Sequence, residues 1–216
     1  MRGVFVTGTD TNVGKTVVSA ALMLALRHRE QVRYWKPIQT GIEIDNDTEA
    51  VRELAGCSKH ELWNNGYRFE RPVSPHLAAS FTDTKIELRT TMRFIDRGKT
   101  QGFWIVEGAG GVLVPLNDKD TMGDLIRRLG LPVIIVTRPT LGTINHTLLT
   151  IEALSNRYIE IAGLVMNGGY DNYNRRAIEH FGGVPVLAHL PAFDKPVGYS
   201  LRQWAIENAA RFDSIQ

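Results

Sequence analysis

Six short runs rich in apolar and β-branched residues recur along the chain, and stretches with helical periodicity separate them. Each run is nearly continuous in apolar residues, which is typical of strands that helices cover on both faces. The runs occupy residues 3–7, 32–37, 103–107, 132–137, 161–166 and 184–188. Strand alternating with helix predicts an α/β fold with a doubly wound, mostly parallel sheet and helices on both faces, whose ligands bind at the carboxyl ends of the strands.

The helical stretches show apolar residues three or four positions apart, on one face of each helix. These stripes begin at Val18, Leu125, Ile144 and Leu201. The order of strands and helices is less clear between Asp47 and Gly102. There we predict helices over residues 48–55 and 86–97 and a loop over residues 64–80. Because no repeat, linker or low-complexity tract is present, we expect a single domain over residues 1–216.

The overall charge excludes some partners. Lys and Arg (25) nearly balance Asp and Glu (23), so no global field attracts nucleic acid or an anionic membrane. Cys57 is the only cysteine, which excludes an internal disulfide and a cysteine-based zinc site. No apolar stretch approaches the roughly 18 residues that span a bilayer, and the first ten residues lack a signal-peptide core. We therefore expect a cytoplasmic protein with no membrane or nucleic-acid partner.

The stretch "GTDTNVGKT" follows the first apolar run and opens the first helical pattern. A glycine-rich turn at such a junction exposes backbone N–H groups that ring a phosphate. In the pattern G-x-x-x-x-G-K-[ST], Lys15 reaches the β and γ phosphates and Thr16 presents its hydroxyl to Mg²⁺. Thr9 stands where the first glycine of that pattern belongs, and Gly8 lies one residue early. The strand before and the helix after favour nucleotide binding over a chance "GKT" at a helix start.

An acidic element follows in "FWIVEGAGG", where an apolar strand ends in Glu107. A carboxylate at the tip of a strand beside the phosphate loop is placed to bind Mg²⁺ directly or through water. The alternative is a solvated glutamate at the end of a strand.

A second lysine, Lys36, ends the second run in "YWKPIQTG". If that strand neighbours the first, Lys36 meets Lys15 at the γ-phosphate, where a preplaced ammonium stabilises developing charge. A surface lysine closing a strand is the alternative. Asp47 precedes a helical pattern and either caps that helix or binds the metal. No serine, cysteine or histidine stands in a nucleophile motif, so an enzyme of this sequence would transfer a phosphoryl group to a bound acceptor.

Five stretches occur in the order "GTDTNVGKT", "KPIQTG", "SPHLAA", "EGAGGVLVPL" and "LGTINHTLLT". In this the chain resembles the dethiobiotin synthetases of the biotin pathway, over most of its length. The resemblance implies an ATP- and Mg²⁺-dependent ligase that closes a cyclic urea from 7,8-diaminononanoate and CO₂. In the family an amine takes up CO₂ to give a carbamate, ATP phosphorylates it, and the second amine attacks the mixed anhydride and expels phosphate.

The resemblance also assigns roles to the residues that match the family's motifs. It implies catalytic roles for Lys36, Lys15 and Thr11. It implies that Mg²⁺ is held by Thr16, Asp47 and Glu107, with Asp45 as the alternative to Asp47 because the stretch before Asp47 is short. The ATP-binding residues would be Asp10, Thr11, Asn12, Val13, Gly14, Lys15, Thr16, Asn167, Leu190 and Pro191. The substrate-binding residues would be Lys36, Thr40, Gly142, Thr143, Ile144 and Asn145.

Some of these matches keep simpler alternatives. The family uses the "LGTIN" segment of the opposite subunit of a homodimer to hold the substrate's carboxylate, whereas on residues alone Thr143 would cap a helix that begins near Gly142. Asn167 matches the adenine-contacting asparagine, but it also suits an ordinary turn. "SPHLAA" gives no chemical role to Ser74 or His76 and is interpreted as a turn at Pro75 that opens a helix.

Two rival functions remain at this point. One is another P-loop ATP-dependent ligase or amidoligase with a different acceptor. The other is a nucleotide switch that dimerises around ATP, such as a partitioning or septum-placing ATPase. Those switches place an extra lysine near the start of the loop, where this chain has Asp10.

Overall fold

The computed structural model describes residues 1–95, 101–193, 197–213 and 215. Seven strands form one sheet in the order β4-β2-β6-β1-β7-β8-β9, and every neighbouring pair is parallel. A small parallel sheet pairs β3 with β5. The strands are β1 (Arg2–Gly8), β2 (Val32–Trp35), β3 (Ile38–Thr40), β4 (Leu62–Trp63), β5 (Tyr67–Phe69), β6 (Phe103–Gly111), β7 (Val133–Thr137), β8 (Ile161–Asn167) and β9 (Val186–Leu190).

Helices cover both faces of the large sheet. They are α1 (Lys15–Leu26), α2 (Asp47–Ala55), α3 (Pro75–Ser80), α4 (Leu88–Arg93), α5 (Met122–Leu129), α6 (Thr143–Ser155), α7 (Asn172–Gly182) and α8 (Val197–Asn208), which a 3₁₀ turn at Ala209–Phe212 follows. Val4 and Val6 of β1 belong to the core under α1 and α8, whereas Phe5 belongs to the opposite core with α5. This alternation is the two-residue period of a strand. The predicted doubly wound α/β fold is confirmed.

Side-chain caps fix where several helices begin. The Asn46 side chain accepts a hydrogen bond from the backbone N–H of Glu49 at 3.2 Å, so α2 begins at Asp47. At α5, Thr121 and Asp124 form a capping box, in which Asp124 accepts from the N–H of Thr121 at 2.8 Å. These contacts satisfy N–H groups that have no partner within the helix.

Three strands differ from their predicted bounds by two residues or more. β6 continues to Gly111 and does not end at Glu107, which lies at its middle. The second strand ends at Trp35 rather than at Pro37, because the chain leaves the large sheet there and enters β3. The last strand covers Val186–Leu190 instead of residues 184–188. Pro185 has no N–H to donate, but its carbonyl accepts from Leu164 N at 2.9 Å, and the ladder continues from Val186.

The region between α2 and β6 departs most from the sequence-based prediction. The predicted loop over residues 64–80 is wrong, because it contains β5 and α3, but the turn at Pro75 that opens a helix is confirmed, since α3 begins at Pro75. The predicted helix over residues 86–97 is shorter, at Leu88–Arg93, and residues 96 and 97 lie outside the described part of the chain. Elements of three to six residues are too short to show a period. Within the described residues, no helix is long and apolar enough to cross a membrane.

Candidate functional site

The phosphate-type loop joins the central strand β1 to α1. Gly14 adopts a left-handed conformation (φ 94°) at the start of α1, and Lys15 is the first residue of the helix. The Lys15 ammonium donates to the Asp10 carbonyl at 3.1 Å, so its side chain folds back over the loop. A Cβ at Gly14 would lie 1.9 Å from the amide nitrogen of Asn167. The loop therefore requires glycine here both for conformation and for space.

Glu107 lies on β6, directly beside β1, and its side chain is fully buried. Its Oε1 accepts from the Lys36 ammonium at 2.8 Å and the Thr16 hydroxyl at 3.1 Å. Its Oε2 accepts from Ser19 Oγ at 2.8 Å and from the Tyr34 hydroxyl at 3.0 Å. The alternative of a solvated glutamate is wrong, since four donors hold this carboxylate inside the protein.

Lys36 reaches the site from one strand further away than the sequence suggested. The second strand pairs with β6 and not with β1, so the assumed neighbourhood of the first and second strands is wrong. The Lys36 side chain forms ion pairs with Glu107 of β6 and with Asp47. Only 4% of Lys36 is exposed, which excludes the surface-lysine alternative.

Asp47 is brought to the site by the first turn of α2. Its Oδ1 accepts from the Thr16 hydroxyl at 2.6 Å, and its Oδ2 pairs with Lys36. Because Asn46 caps the helix, the alternative role of Asp47 as the cap is wrong. Asp45 is exposed and lines the same cavity, but Asp47 is the carboxylate that contacts Thr16 and Lys36.

The charges of the cluster shift the pKa values of its members. Burial, together with the charge of Lys36, lowers the pKa of Lys15 to about 8. Burial also works to lower the pKa of Lys36, but the charges of Glu107 and Asp47 outweigh it, and this pKa lies above its usual value. At Asp47 the burial effect is outweighed by the charge and hydrogen bond of Lys36, so its pKa is lowered. Lys36 and Asp47 are therefore both ionised at neutral pH.

The oxygen groups around Lys36 suit a small hard cation. Thr16, Asp47 and Glu107 offer one hydroxyl and two carboxylates, which are ligand types that Mg²⁺ prefers. The described residues contain no group of three or more His, Cys, Asp and Glu side chains that would hold a metal by themselves. Mg²⁺ commonly completes its six ligands with water and phosphate oxygens, so this sparse set fits it.

A cavity of about 740 Å³ opens over the cluster. Its polar end carries Lys15, Lys36, Thr16, Asp47 and Glu107, and the loop residues Thr11, Asn12 and Gly14 border it. The lining also includes Thr40, Gly41, Pro72, Val73, Ser74, Ala109 and Val114. Such a cavity has room for an anionic group beside the ammonium groups and an aliphatic chain beyond them. His76 is exposed and does not line it.

The residues matched to the adenine site lie beyond the loop, at the ends of β8 and β9. The Asn167 amide donates to the Val13 carbonyl at 2.9 Å, so Asn167 bonds the loop and does not serve only as a turn residue. The Leu190 side chain is fully buried, and its carbonyl accepts from Gly168 and Gly169. Asp10, Val13, Asn167, Leu190 and Pro191 do not line the described cavity.

The α6 segment begins close to where the sequence indicated. Gly142 (φ 91°) is the N-cap position, and no side chain caps the helix. The Thr143 hydroxyl lies 2.6 Å from that of Thr137, so capping by Thr143 is wrong. None of Gly142, Thr143, Ile144 and Asn145 lines the cavity described above.

Sequence reasoning missed three residues that touch the site. Ser19 lies three positions after Thr16 on α1, and Tyr34 lies two positions before Lys36 on β2. Helix and strand periods place both on the same faces as the predicted residues, so their spacing was the available signal. Arg138 follows β7 and donates to the Thr11 carbonyl at 2.9 Å. No motif marked it.

Comparison with known proteins defines the class first. A family model described as an AAA domain matches residues 2–197. In fold the chain is similar to the cell division ATPase MinD of Pyrococcus furiosus, with a TM-score of 0.63, 17% identity and 100% of both chains covered. It is also similar to a ParA family ATPase from Chlorobium tepidum, with a TM-score of 0.58, 13% identity, and 98% of this chain and 92% of that chain covered. The fold is that of the P-loop nucleoside triphosphatases.

Sequence relatives define the family within that class. The ATP-dependent dethiobiotin synthetase of Paramagnetospirillum magneticum is 48% identical over 190 residues, which are 88% of each chain. The corresponding protein of Agrobacterium fabrum is 39% identical over 92% of this chain and 90% of its own length. A bifunctional biotin biosynthesis protein of Bordetella avium is 45% identical over 206 residues. The matched residues are 94% of this chain and 42% of that protein. The chain belongs to the dethiobiotin synthetase family.

Proposed function

We propose that the protein is an ATP-dependent dethiobiotin synthetase, which closes a cyclic urea from 7,8-diaminononanoate and CO₂ and releases ADP and phosphate. One observation carries the proposal: Lys36 is buried at the polar end of the cavity, beside the loop that begins at Gly8 and the ammonium of Lys15. Phosphate binding alone needs a single lysine there. A second buried ammonium suits a reaction in which another anion forms at the same point.

The two lysines divide the work in this proposal. Lys15 and the backbone N–H groups of the loop hold the ATP phosphates, as in other loops of this type. Lys36 stays charged because of Glu107 and Asp47, and its ammonium neutralises the carbamate oxygens and the transferring phosphoryl group. Thr11 and Thr40 line the same cavity as these lysines and would contact the reacting groups. The residues act by position and charge, with no covalent intermediate on the protein.

Thr16, Asp47 and Glu107 would hold Mg²⁺, whose charge offsets that of the phosphate oxygens. Since Thr16 already donates to both carboxylates, its hydroxyl is oriented before any ligand arrives. Ser19 and Tyr34 keep Glu107 in place from its other oxygen. A pre-oriented set of this kind avoids reorganisation when the nucleotide binds.

We further propose a homodimer in which the α6 segment of a second copy binds the substrate carboxylate. The cavity contains apolar groups for the aliphatic chain, including Val73, Ala109 and Val114. Its described lining does not include residues 142–145, so these would meet a substrate in another copy. Leu141 is fully exposed at the start of this segment, as an interface residue would be in the isolated chain. The free buried thiol of Cys57 suits a reducing compartment such as the cytoplasm.

One assay tests the activity directly. The protein is incubated with ATP, Mg²⁺, bicarbonate and 7,8-diaminononanoate, and the urea product is sought by mass spectrometry. Formation of dethiobiotin with matching release of ADP supports the proposal. ATP turnover that does not depend on the diamine, or an unchanged diamine pool, contradicts it. Omitting bicarbonate is the control, because the urea carbon must come from CO₂.

A further inference from the structure

One residue of the phosphate loop, other than glycine, holds a left-handed backbone conformation. Asn12 has a positive φ of 58°, which is uncommon for a residue other than glycine. Both Asn12 and its neighbour Thr11 are exposed, so packing of their own side chains does not hold this part of the turn, whereas Val13 after them is buried in the core. The left-handed conformation costs free energy for an L-residue, although asparagine tolerates it better than most. Groups outside the loop must therefore contribute to holding it.

Two side chains bond the carbonyls on either side of Asn12. Arg138 donates from Nη2 to the Thr11 carbonyl at 2.9 Å. Asn167 donates from Nδ2 to the Val13 carbonyl at 2.9 Å. Arg138 directly follows β7 and Asn167 ends β8, the first two strands on that side of β1. The turn is thus held by residues at the carboxyl ends of β7 and β8.

The planarity of the peptide bond shows what these contacts do. The Thr11 carbonyl and the Asn12 N–H belong to one trans peptide unit, so they point in opposite directions. A donor that fixes the Thr11 carbonyl on the outside of the loop therefore directs the Asn12 N–H to the inside. The same relation joins the Val13 carbonyl to the Gly14 N–H. Inward N–H groups are the groups with which such loops hold phosphates.

Arg138 is itself held in place. The next carbonyl, that of Pro139, accepts from the Asn174 amide at 2.9 Å, and Asn174 is bonded to Asp171 at the start of α7. The Nε atom of Arg138 is buried and has no hydrogen-bond partner among the described residues.

We propose that Arg138 is a positioning residue for the nucleotide phosphates, which acts by holding Asn12 in its left-handed conformation. The inference rests on the proposed nucleotide site, but not on the identity of the acceptor. Removing the contact allows the loop to leave the binding conformation, and the apparent dissociation constant rises as the population of that conformation falls. For a hydrogen bond donated by a charged group we expect a loss of ADP affinity of about tenfold in Arg138→Ala.

A double-mutant cycle separates this role from a general structural one. Alanine tolerates the left-handed region less well than asparagine, so Asn12→Ala favours departure from the binding conformation. With Arg138 present the conformation stays more fully populated, so we expect Asn12→Ala to weaken ADP binding by a smaller factor than it does without Arg138. In the Arg138→Ala background the same change should cost roughly a further fivefold. An equal cost of Asn12→Ala in both backgrounds would overturn the proposal.

The experiment is an ADP titration by calorimetry, with the melting temperature of each variant measured in parallel. Arg157→Ala is the matched control, because Arg157 also donates from a guanidinium to a backbone carbonyl, that of Ala153 at 2.8 Å, but at the far end of α6. We expect Arg157→Ala to bind ADP like the wild type. Arg138→Ala with wild-type affinity refutes the role, as does a loss that Arg157→Ala reproduces.

The test also distinguishes this inference from the proposed activity. A wild-type protein that binds ADP and shows the predicted coupling, yet makes no cyclic urea, supports the role of Arg138 and contradicts the proposed reaction. A wild-type protein that does not bind ADP removes the basis of both. AMP provides a further check: it lacks the β-phosphate, so Arg138→Ala should weaken its binding less than that of ADP. An equal loss for AMP and ADP would contradict an action through the phosphate loop.

Discussion

The Lys36 ammonium donates to Oε1 of Glu107 at 2.8 Å, and both side chains are almost completely withdrawn from solvent. Each charge is tolerated there because the other is present, since an isolated ion is costly to bury. The pair joins the residue that follows β2 to the middle of the neighbouring strand β6. Changes at either residue are therefore expected to affect folding as well as chemistry, and experiments must measure both.

Lys36→Ala is expected to abolish formation of the urea, because the charge that neutralises the carbamate is gone. It also leaves Glu107 and Asp47 facing each other without a cation, which we expect to cost about 3 kcal/mol of the free energy of unfolding. An assay of dethiobiotin formation measures the first effect, and unfolding in guanidinium chloride measures the second. ADP affinity should change little where the variant is folded, because Lys15 and the loop remain. A folded, active variant would remove Lys36 from the reaction.

Tyr34→Phe is expected to lower the free energy of unfolding by about 1 kcal/mol, because one of two donors to Glu107 Oε2 is lost while the ring remains. The Mg²⁺ concentration for half-maximal activity should rise modestly, since Glu107 is less firmly held. Tyr67→Phe is the control: its hydroxyl accepts from the Glu87 N–H at 3.2 Å, away from the metal groups. A shift in the Mg²⁺ titration for both variants would argue against a specific role of Tyr34.

Glu107→Gln keeps the size of the side chain but removes its charge. We expect activity to require about tenfold more Mg²⁺, because one anionic ligand is lost from a site with only two carboxylates in contact with Thr16. An activity assay at graded Mg²⁺ measures this, and chemical denaturation measures the accompanying change in stability. Glu61→Gln alters a carboxylate that pairs with Arg27 instead and serves as the control. An unchanged Mg²⁺ titration for Glu107→Gln would exclude Glu107 from metal binding.

Gly14→Ala should abolish nucleotide binding, because the new methyl group would overlap the Asn167 amide at 1.9 Å. The control is Gly183→Ala, at a helix end with a comparable left-handed conformation (φ 64°) and no atom within 4 Å of the added Cβ. Both variants carry backbone strain of about 1 kcal/mol. Only Gly14→Ala should lose ADP affinity in a titration. Similar ADP affinity in the two variants would show that the Asn167 contact yields without consequence.

The capping box of α5 predicts a pH dependence of stability. Burial works to raise the pKa of Asp124, but hydrogen bonds from Thr121 outweigh it, so the pKa in the folded protein is lowered. A lowered pKa means that the contribution to stability is present above the unfolded pKa of about 4 and is lost as the pH falls through the folded value. Asp124→Asn should therefore lower the melting temperature at pH 7 and change it much less at pH 3.

Asp118→Asn is the control for this measurement, because Asp118 is in an exposed part of the loop before α5. Differential scanning fluorimetry at both pH values is sufficient. A melting-temperature difference between Asp124→Asn and the wild type that is as large at pH 3 as at pH 7 would contradict the assigned role of the carboxylate.

The sequence predicted the large sheet well because its strands are buried on both faces and are therefore nearly continuous in apolar residues. It did not indicate the small sheet, because Ile38–Thr40 and Tyr67–Phe69 have three residues each and no visible period. The sequence also did not predict the order of the strands in the sheet. Lys36 was expected beside β1, whereas β2 pairs with β6, and the lysine reaches the cavity only because its side chain is long.

The site could be predicted where residues lie in local motifs and not where contacts depend on tertiary structure. Loop residues such as Lys15 and Thr16 follow from their spacing. The sequence left open whether Asp47 caps α2, and the answer depends on its neighbour Asn46, which accepts the capping bond. No sequence motif indicates the role of Arg138. Its partner, the Thr11 carbonyl, lies 127 positions away and is a backbone group, which every residue type has.

The order of the strands has a consequence for how the chain acquires its function during synthesis. Phe5 of the first strand pairs with Val106 and Val133, which leave the ribosome about 100 residues later or more. Until then the phosphate loop has no neighbouring strands to support it, and pairing over such separations is slow. Nascent chains that stop before β6 would therefore expose an unpaired apolar strand and depend on chaperones.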